Sequence, residues 1–334
     1  MRGRLDRHVI ESEVLMDNPL GDPHRRPLYV YVSPGVDETR DQAYPSVYVI
    51  QGMTGQVDMW FNRTAFEPTM FERLDDMFSD GSTPDAIVVF VDAWTSYGGS
   101  QFINSTATGR YMDYLCDEVV AFVDERYPTV PGRESRGLTG KSSGGYGAMV
   151  VPMLRPDVFA ALASHAGDAL FEACYLPDFP KTARILRDDF EGSFEVFWER
   201  FRSAGALVED MYTPINTYAM AACYSPDESS PGKVTLPFEV DTGVLLDEVW
   251  ARWLEWDPVR LAPKHLDALA SMKRIYLDAG RSDEYYLDLG AQAFSKELSK
   301  AGVNHTLELF EGAHGGLQYR YPGAISQLVA ALAG

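Results

Sequence analysis

The run Leu138-Thr-Gly-Lys-Ser-Ser-Gly-Gly-Tyr-Gly147 holds a serine between two glycines where an apparent strand gives way to an apparent helix. In a Gly-x-Ser-x-Gly turn the serine sits on a strained strand-to-helix bend that lifts its hydroxyl clear of the sheet. A Cβ at either flanking position would clash. Gly140 and Gly144 occupy those two places around Ser142. Ser143 has Lys141 two residues before it, so the register selects Ser142 as the nucleophile. Residues 134–139 follow a proline-glycine turn, and residues 146–154 are mainly good helix formers bounded by Pro156. Strand, tight turn and helix is the context this bend requires.

The rest of the chain alternates in the same way. Residues 8–16 and 28–33 are β-branched and aromatic runs separated by Asn18, Pro19, Gly21 and Pro23, and they read as an antiparallel opening pair. Residues 46–51 and 86–91 are continuous apolar runs, which suit strands buried on both faces of a parallel sheet. Tyr111, Tyr114, Leu115, Val119, Phe122 and Val123 recur at helical spacing, as do Leu287, Ala291, Phe294, Leu298 and Ala301. Short apolar runs follow at 158–163 and 274–277, and 305–310 reads as a last strand. Strands alternating with helices predict a mostly parallel, doubly wound α/β sheet, whose ligands bind outside the carboxyl ends of the strands.

Between the sixth and seventh of these strands the chain does not read as sheet. Residues 169–256 are expected to form a helical lid inserted into a core made of residues 1–168 and 257–334. Four of the six tryptophans lie in this insertion, which is unusual for a solvated loop. Its aromatics either pack the insertion onto the core or line an acyl or aryl pocket.

A chain of 334 residues with 46% hydrophobic content can bury a full core. Its net charge of −20 opposes binding to nucleic acid or to an anionic membrane. Three scattered cysteines do not suggest a disulfide framework, and neither a secretory leader nor an apolar run long enough to span a bilayer is read. The expected location is the cytoplasm, with a homo-oligomer left open. No histidine and carboxylate cluster has metal-ligand spacing and no phosphate-binding glycine loop is present, so no cofactor or metal is expected.

A serine hydroxyl needs a neighbouring base, normally a histidine oriented by a carboxylate. Of the six histidines, His314 lies in Glu311-Gly-Ala-His-Gly-Gly316, after the last strand and before the last helix, where the order serine, acid, histidine places the base. His165, in Ser164-His-Ala-Gly-Asp168 after an earlier strand end, is its competitor; it is expected to be structural, bordering the pocket. The acid should come from Asp278-Ala-Gly-Arg-Ser-Asp-Glu284, which offers Asp278, Asp283 and Glu284. Asp278 touches the strand end; Asp283 is further out, where it can reach the histidine. For the oxyanion, Gly52 lets the chain turn sharply and present the Met53 amide beside that of Ser143, at the start of the helix. Trp94, Tyr97 and Gln101, in another strand-end loop, are candidates to line the pocket.

Together these elements resemble the putative-esterase family of α/β-hydrolases, which includes esterase D (S-formylglutathione hydrolase), enterochelin esterases, feruloyl esterases and the mycolyltransferases. The resemblance covers most of residues 8–168 and 257–331. It is most specific in Gly52-Met53-Thr54, residues 140–147, Asp278-Ala-Gly-Arg-Ser-Asp283 and Gly312-Ala-His-Gly315. It implies the α/β-hydrolase fold, Asp283 as the acid, and the Met53 and Ser143 amides as oxyanion donors. The long insertion departs from the compact members, so their substrates do not carry over. The expected activity is hydrolysis of a small to medium ester, aromatic ones included, through an acyl-enzyme. An acyltransferase with the same triad and a non-catalytic binding protein are the alternatives.

Overall fold

The computed structural model describes residues 2–37, 39, 42–206, 209–230 and 232–334. Its strands are β1 (Arg4–Glu11), β2 (Arg25–Val32), β3 (Ser46–Ile50), β4 (Ile87–Val91), a small hairpin of β5 (Asn104–Ser105) and β6 (Gly109–Arg110), then β7 (Arg136–Lys141), β8 (Ala161–His165), β9 (Arg274–Gly280) and β10 (Thr306–Phe310). All but the hairpin join one sheet in the order β1-β2-β4-β3-β7-β8-β9-β10. β2 pairs antiparallel with β1 and with β4; every other contact in the sheet is parallel. This is the mostly parallel, doubly wound α/β architecture that the alternation of strands and helices predicts.

The central strands are apolar throughout because both faces are covered. Along β3, Tyr48 and Ile50 join one core while Val47 and Val49 join the other. Helices Met70–Ser79 and Tyr321–Ala333 cover the second face with Phe71, Leu74, Ile325 and Leu328. The first helix is fixed at its start by a reciprocal cap. Thr69 Oγ1 accepts the Glu72 N–H at 3.3 Å, and the Glu72 carboxylate accepts the Thr69 N–H at 2.7 Å.

The first strand is shorter at its carboxyl end than the 8–16 run predicts. Beyond Glu11 the backbone donors are taken off the ladder: Glu118 Oε1 accepts the N–H groups of Glu13 and Val14 at 2.7 and 3.0 Å, and Ser12 Oγ accepts that of Leu15 at 3.1 Å. A side chain that supplies these acceptors removes the reason to stay in the sheet.

Between β8 and β9, the sixth and seventh strands of the sheet, the chain forms helices Phe171–Cys174, Phe179–Asp189, Phe194–Ser203, Glu209–Tyr224 and Asp247–Leu254. Among the described residues this stretch has isolated bridges but no strand. Its aromatics pack mainly on one another and on the core. Trp253 is fully buried, donates its indole N–H to Ser225 Oγ at 2.8 Å, and meets Tyr175, Phe179 and Tyr224 edge-on. Tyr146 of the helix after Ser142 in turn contacts Tyr224 at 5.7 Å and donates to the Trp256 carbonyl at 3.2 Å. Among the described residues no helix is long and apolar enough to cross a membrane.

Candidate active site

β7 ends at Lys141, and helix Ser143–Leu154 begins two residues later, so Ser142 carries the whole change of direction. Its backbone, φ 58° and ψ −124°, lies where an L side chain is strained. Backbone bonds hold it there: the Ser142 N–H lies 3.0 and 3.1 Å from the carbonyls of His165 and Ala166, and the Ser142 carbonyl accepts the Tyr146 N–H at 2.8 Å. The flanking glycines are required by space. A Cβ on Gly140 would sit 2.5 Å from the Gly144 carbonyl carbon, and one on Gly144 would sit 2.5 Å from the Ile50 carbonyl oxygen.

His314 arrives from the loop after β10. Its Nε2 lies 3.1 Å from Ser142 Oγ, and its Nδ1 lies 2.8 Å from Asp283 Oδ2. Asp283 comes from the loop after β9, and its other oxygen accepts the Tyr285 N–H at 2.9 Å, which fixes the carboxylate. Glu284 anchors the base by its backbone, accepting the His314 N–H at 3.0 Å, while the Tyr285 ring packs edge-on against the imidazole at 4.9 Å. Both Asp283 and the imidazole are buried. A hydroxyl, an imidazole and a carboxylate in this sequence can pass a proton from the hydroxyl to Nε2 while the carboxylate stabilises the imidazolium that results.

Gly52 abuts the bend. A Cβ there would meet Lys141 O at 3.0 Å and Ser142 Cβ at 3.3 Å, so the strand-end turn of β3 runs directly beside the serine. Thr54 N–H donates to Gly98 O at 2.7 Å and ties the turn to the loop after β4. Met53 lines both of the cavities that Ser142 lines, and Ser143 lines the smaller one.

The larger cavity, about 350 Å³, runs from Ser142 and His314 across Met53, Met59 and Trp60 to Tyr321. A smaller chamber of about 30 Å³, roughly the volume of one water, lies on the other side of Ser142 between Asp168, Tyr175, Asn216 and Tyr285. Tyr212, from the inserted helix Glu209–Tyr224, lines both. A buried ion pair holds the wall of the larger cavity. Arg26 Nη1 lies 3.2 Å from Asp92 Oδ1, and Asp92 Oδ2 accepts the Val57 N–H at 3.1 Å, at the start of the turn bearing Trp60. Burial pushes the Asp92 carboxyl up, against the opposing pull of the Val57 amide and the Arg26 guanidinium.

None of the four pocket candidates lines either cavity. His165 is fully buried, with Nδ1 2.8 Å from Asp278 Oδ1 and its ring 4.5 Å from Tyr321, beneath the larger cavity. Its parallel register opposite Lys141 turns it into the interior. Asp278 is held by His165 and by Arg320 Nε at 2.6 Å. Burial pushes the carboxyl up, but these two partners outweigh burial and keep it below its ordinary range. Trp94 uses its carbonyl to accept from Arg26 at 2.7 Å. Tyr97 packs among Phe194, Trp198 and Tyr218. Gln101 stands one layer behind the smaller chamber, donating to Asp168 Oδ2 at 3.2 Å and to Tyr224 Oη at 2.7 Å.

Asp168 is the neighbour that sequence reasoning passed over. Its Oδ1 lies 3.5 Å from Ser142 Oγ, and its Oδ2 accepts from Tyr175 Oη at 2.7 Å. Burial pushes its carboxyl up, with Tyr175 and Gln101 pulling the other way. The sequence signal was its place after a strand end in Ser164-His-Ala-Gly-Asp168, the position that also yields Asp283 after β9. Among the described residues no group of three or more His, Cys, Asp or Glu side chains is arranged to hold a metal ion.

A family model for esterases, described as "Putative esterase", matches residues 23–321. The chain is 23% identical over 145 residues to an uncharacterized protein of Corynebacterium glutamicum. That match spans 42% of this chain and only 32% of the relative's length. Solved structures align over nearly the whole chain. A ferulic acid esterase gives a TM-score of 0.61 at 15% identity, covering 99% of this chain and 98% of its own. The fluorophosphonate-binding serine hydrolase F of Staphylococcus aureus gives 0.60 at 15% identity, covering 99% of each. An S-formylglutathione hydrolase of Agrobacterium tumefaciens gives 0.58 at 14%, covering 99% of this chain and 96% of its own. At these identities the likeness is one of fold, and the fold is that of the α/β-hydrolase esterases.

Proposed function

The chain belongs to the esterase family, and from that premise we propose that it is a serine carboxylic ester hydrolase working through an acyl-enzyme. The reading rests on one observation: the His314 imidazole spans Ser142 Oγ and Asp283, at 3.1 Å on one side and 2.8 Å on the other. Ser142 Oγ attacks the ester carbonyl carbon while Nε2 of His314 takes its proton. Nδ1–H donates to Asp283, which keeps the free lone pair on the side of the serine and stabilises the imidazolium. The Met53 and Ser143 amides hold the oxyanion, each worth about 3 kcal/mol in the transition state. His314 then protonates the departing alcohol, and water, deprotonated by the same imidazole, releases the acid.

Substrate choice is assigned to the larger cavity, whose Met53, Met59 and Trp60 suit a small to medium acyl or aryl group. The insertion at residues 169–256 acts as the lid over a core of 1–168 and 257–334, contributing Tyr212, Asn216 and Tyr175 to the walls around Ser142.

Steady-state assays with p-nitrophenyl acetate, with and without added methanol, test the assignment. Hydrolysis to acetate as the main product is expected. Methyl acetate as the main product at low methanol would make the protein an acyltransferase. No turnover of this or longer p-nitrophenyl esters would leave a binding protein with an idle triad.

A further inference from the structure

We propose that Lys141 makes this site selective for esters that carry a carboxylate, its ammonium pairing with the anionic group of a substrate bound in the larger cavity. The proposal rests on the reading of that cavity as the ester site.

The direction of the side chain follows from the sheet. Lys141 stands opposite His165 in the parallel β7–β8 register, and residues paired in a ladder project to the same face. His165 packs on Tyr321 on that face, so Lys141 emerges where Tyr321 and Gln318 line the cavity. The bend does not require a lysine here, because the position between Gly140 and Ser142 is unconstrained in the motif.

Among the described residues the Lys141 ammonium has no hydrogen-bond or ion-pair partner, and no other lysine or arginine lines the cavity. Three carboxylates lie near enough to favour its charge, Asp283, Glu284 and Asp168, although burial opposes them and pulls the ammonium's pKa below its ordinary value. Each of the three is already engaged. Asp283 accepts from His314 and the Tyr285 amide, Glu284 from the His314 amide, and Asp168 from Tyr175 and Gln101. A half-buried cation beside Met53 and Met59 with no partner is unfavourable on its own. A substrate carboxylate supplies the missing partner within reach of Ser142. The same three carboxylates repel an anion placed elsewhere in the cavity, which confines the anionic group to the lysine.

The test compares kcat/KM for matched esters. Mono-p-nitrophenyl adipate against p-nitrophenyl hexanoate probes an acyl-side anion; p-acetoxybenzoate against phenyl acetate probes an alcohol-side one. The wild-type protein is expected to prefer the anionic member of at least one pair tenfold or more. That ratio should fall at least tenfold in Lys141→Met and in Lys141→Gln, and survive in Lys141→Arg. A wild-type ratio near one for both pairs, or a ratio unaltered by both neutral substitutions, overturns the proposal while leaving the esterase reading in place. A fall in kcat/KM shared equally by both members of a pair leaves the ratio unaltered and counts against it: Lys141 would then be supporting the Asp283–His314 pair. Absence of turnover for all four esters removes the esterase reading and the proposal with it.

Discussion

An alanine at Ser142 is expected to lower kcat/KM for p-nitrophenyl acetate by about ten-thousandfold or more, the scale on which loss of a serine nucleophile acts in hydrolases of this chemistry. The substitution removes the hydroxyl that faces His314 Nε2 at 3.1 Å and leaves everything that shapes the bend. Alanine meets the same strained φ of 58° that serine does. It keeps the backbone bonds from the Ser142 amide to the His165 and Ala166 carbonyls, and it adds no atom near Gly140 or Gly144. The thermal midpoint should therefore stay at or above that of the wild-type protein, measured by circular dichroism alongside the assay. A residual rate above that of water is expected, because the substitution leaves in place the Met53 and Ser143 amides, the oxyanion donors proposed above. Loss of activity with loss of fold would leave the hydroxyl's role undemonstrated; full activity in a folded protein would exclude it.

Asp283→Asn is expected to cost about as much in kcat, again near ten-thousandfold, with little change in structure. An asparagine amide directed at Nδ1 presents a donor where the imidazole needs an acceptor. The ring then holds its proton on the nitrogen facing Ser142 and cannot act as a base. Asp278→Asn makes the contrasting case. That carboxylate sits under the cavity between His165 and Arg320, so its loss leaves the buried His165 imidazole without its charged partner, while Arg320 keeps Glu308 and Tyr276. Its effect should appear in stability, about 1–3 kcal/mol, read from the denaturant midpoint. If Asp278→Asn silences the chemistry and Asp283→Asn does not, the acid has been assigned to the wrong residue.

The elbow is legible in the chain because its geometry admits few residues. A Cβ added at Gly140 or at Gly144 would lie 2.5 Å from a backbone atom. His314 is legible by order alone, as the histidine between the last strand and the last helix. The sheet can be read from apolar runs because β3, β4 and β8 are covered on both faces. What the chain did not disclose is direction. Trp94, Tyr97 and Gln101 sit in a strand-end loop, where location suggests a pocket, yet Trp94 meets Arg26 through its backbone carbonyl, and the Tyr97 and Gln101 side chains turn inward to the aromatics of the insertion and to Asp168. His165 and Asp278 look like a base and an acid until the register pairs them with each other. The walls contributed by Tyr212 and Asn216 depend on how a helix inserted far along the chain folds back over Ser142, and no local pattern encodes that contact.

Whether Ser142 rather than its neighbour Ser143 is the nucleophile can be read most directly with a fluorophosphonate probe and peptide mass spectrometry. One phosphonyl group per chain, on the oxygen of Ser142 and lost when His314 is replaced by alanine, is the predicted result. An adduct on Ser143, or ester hydrolysis that continues while Ser142 stays unmodified at saturating probe, would contradict it.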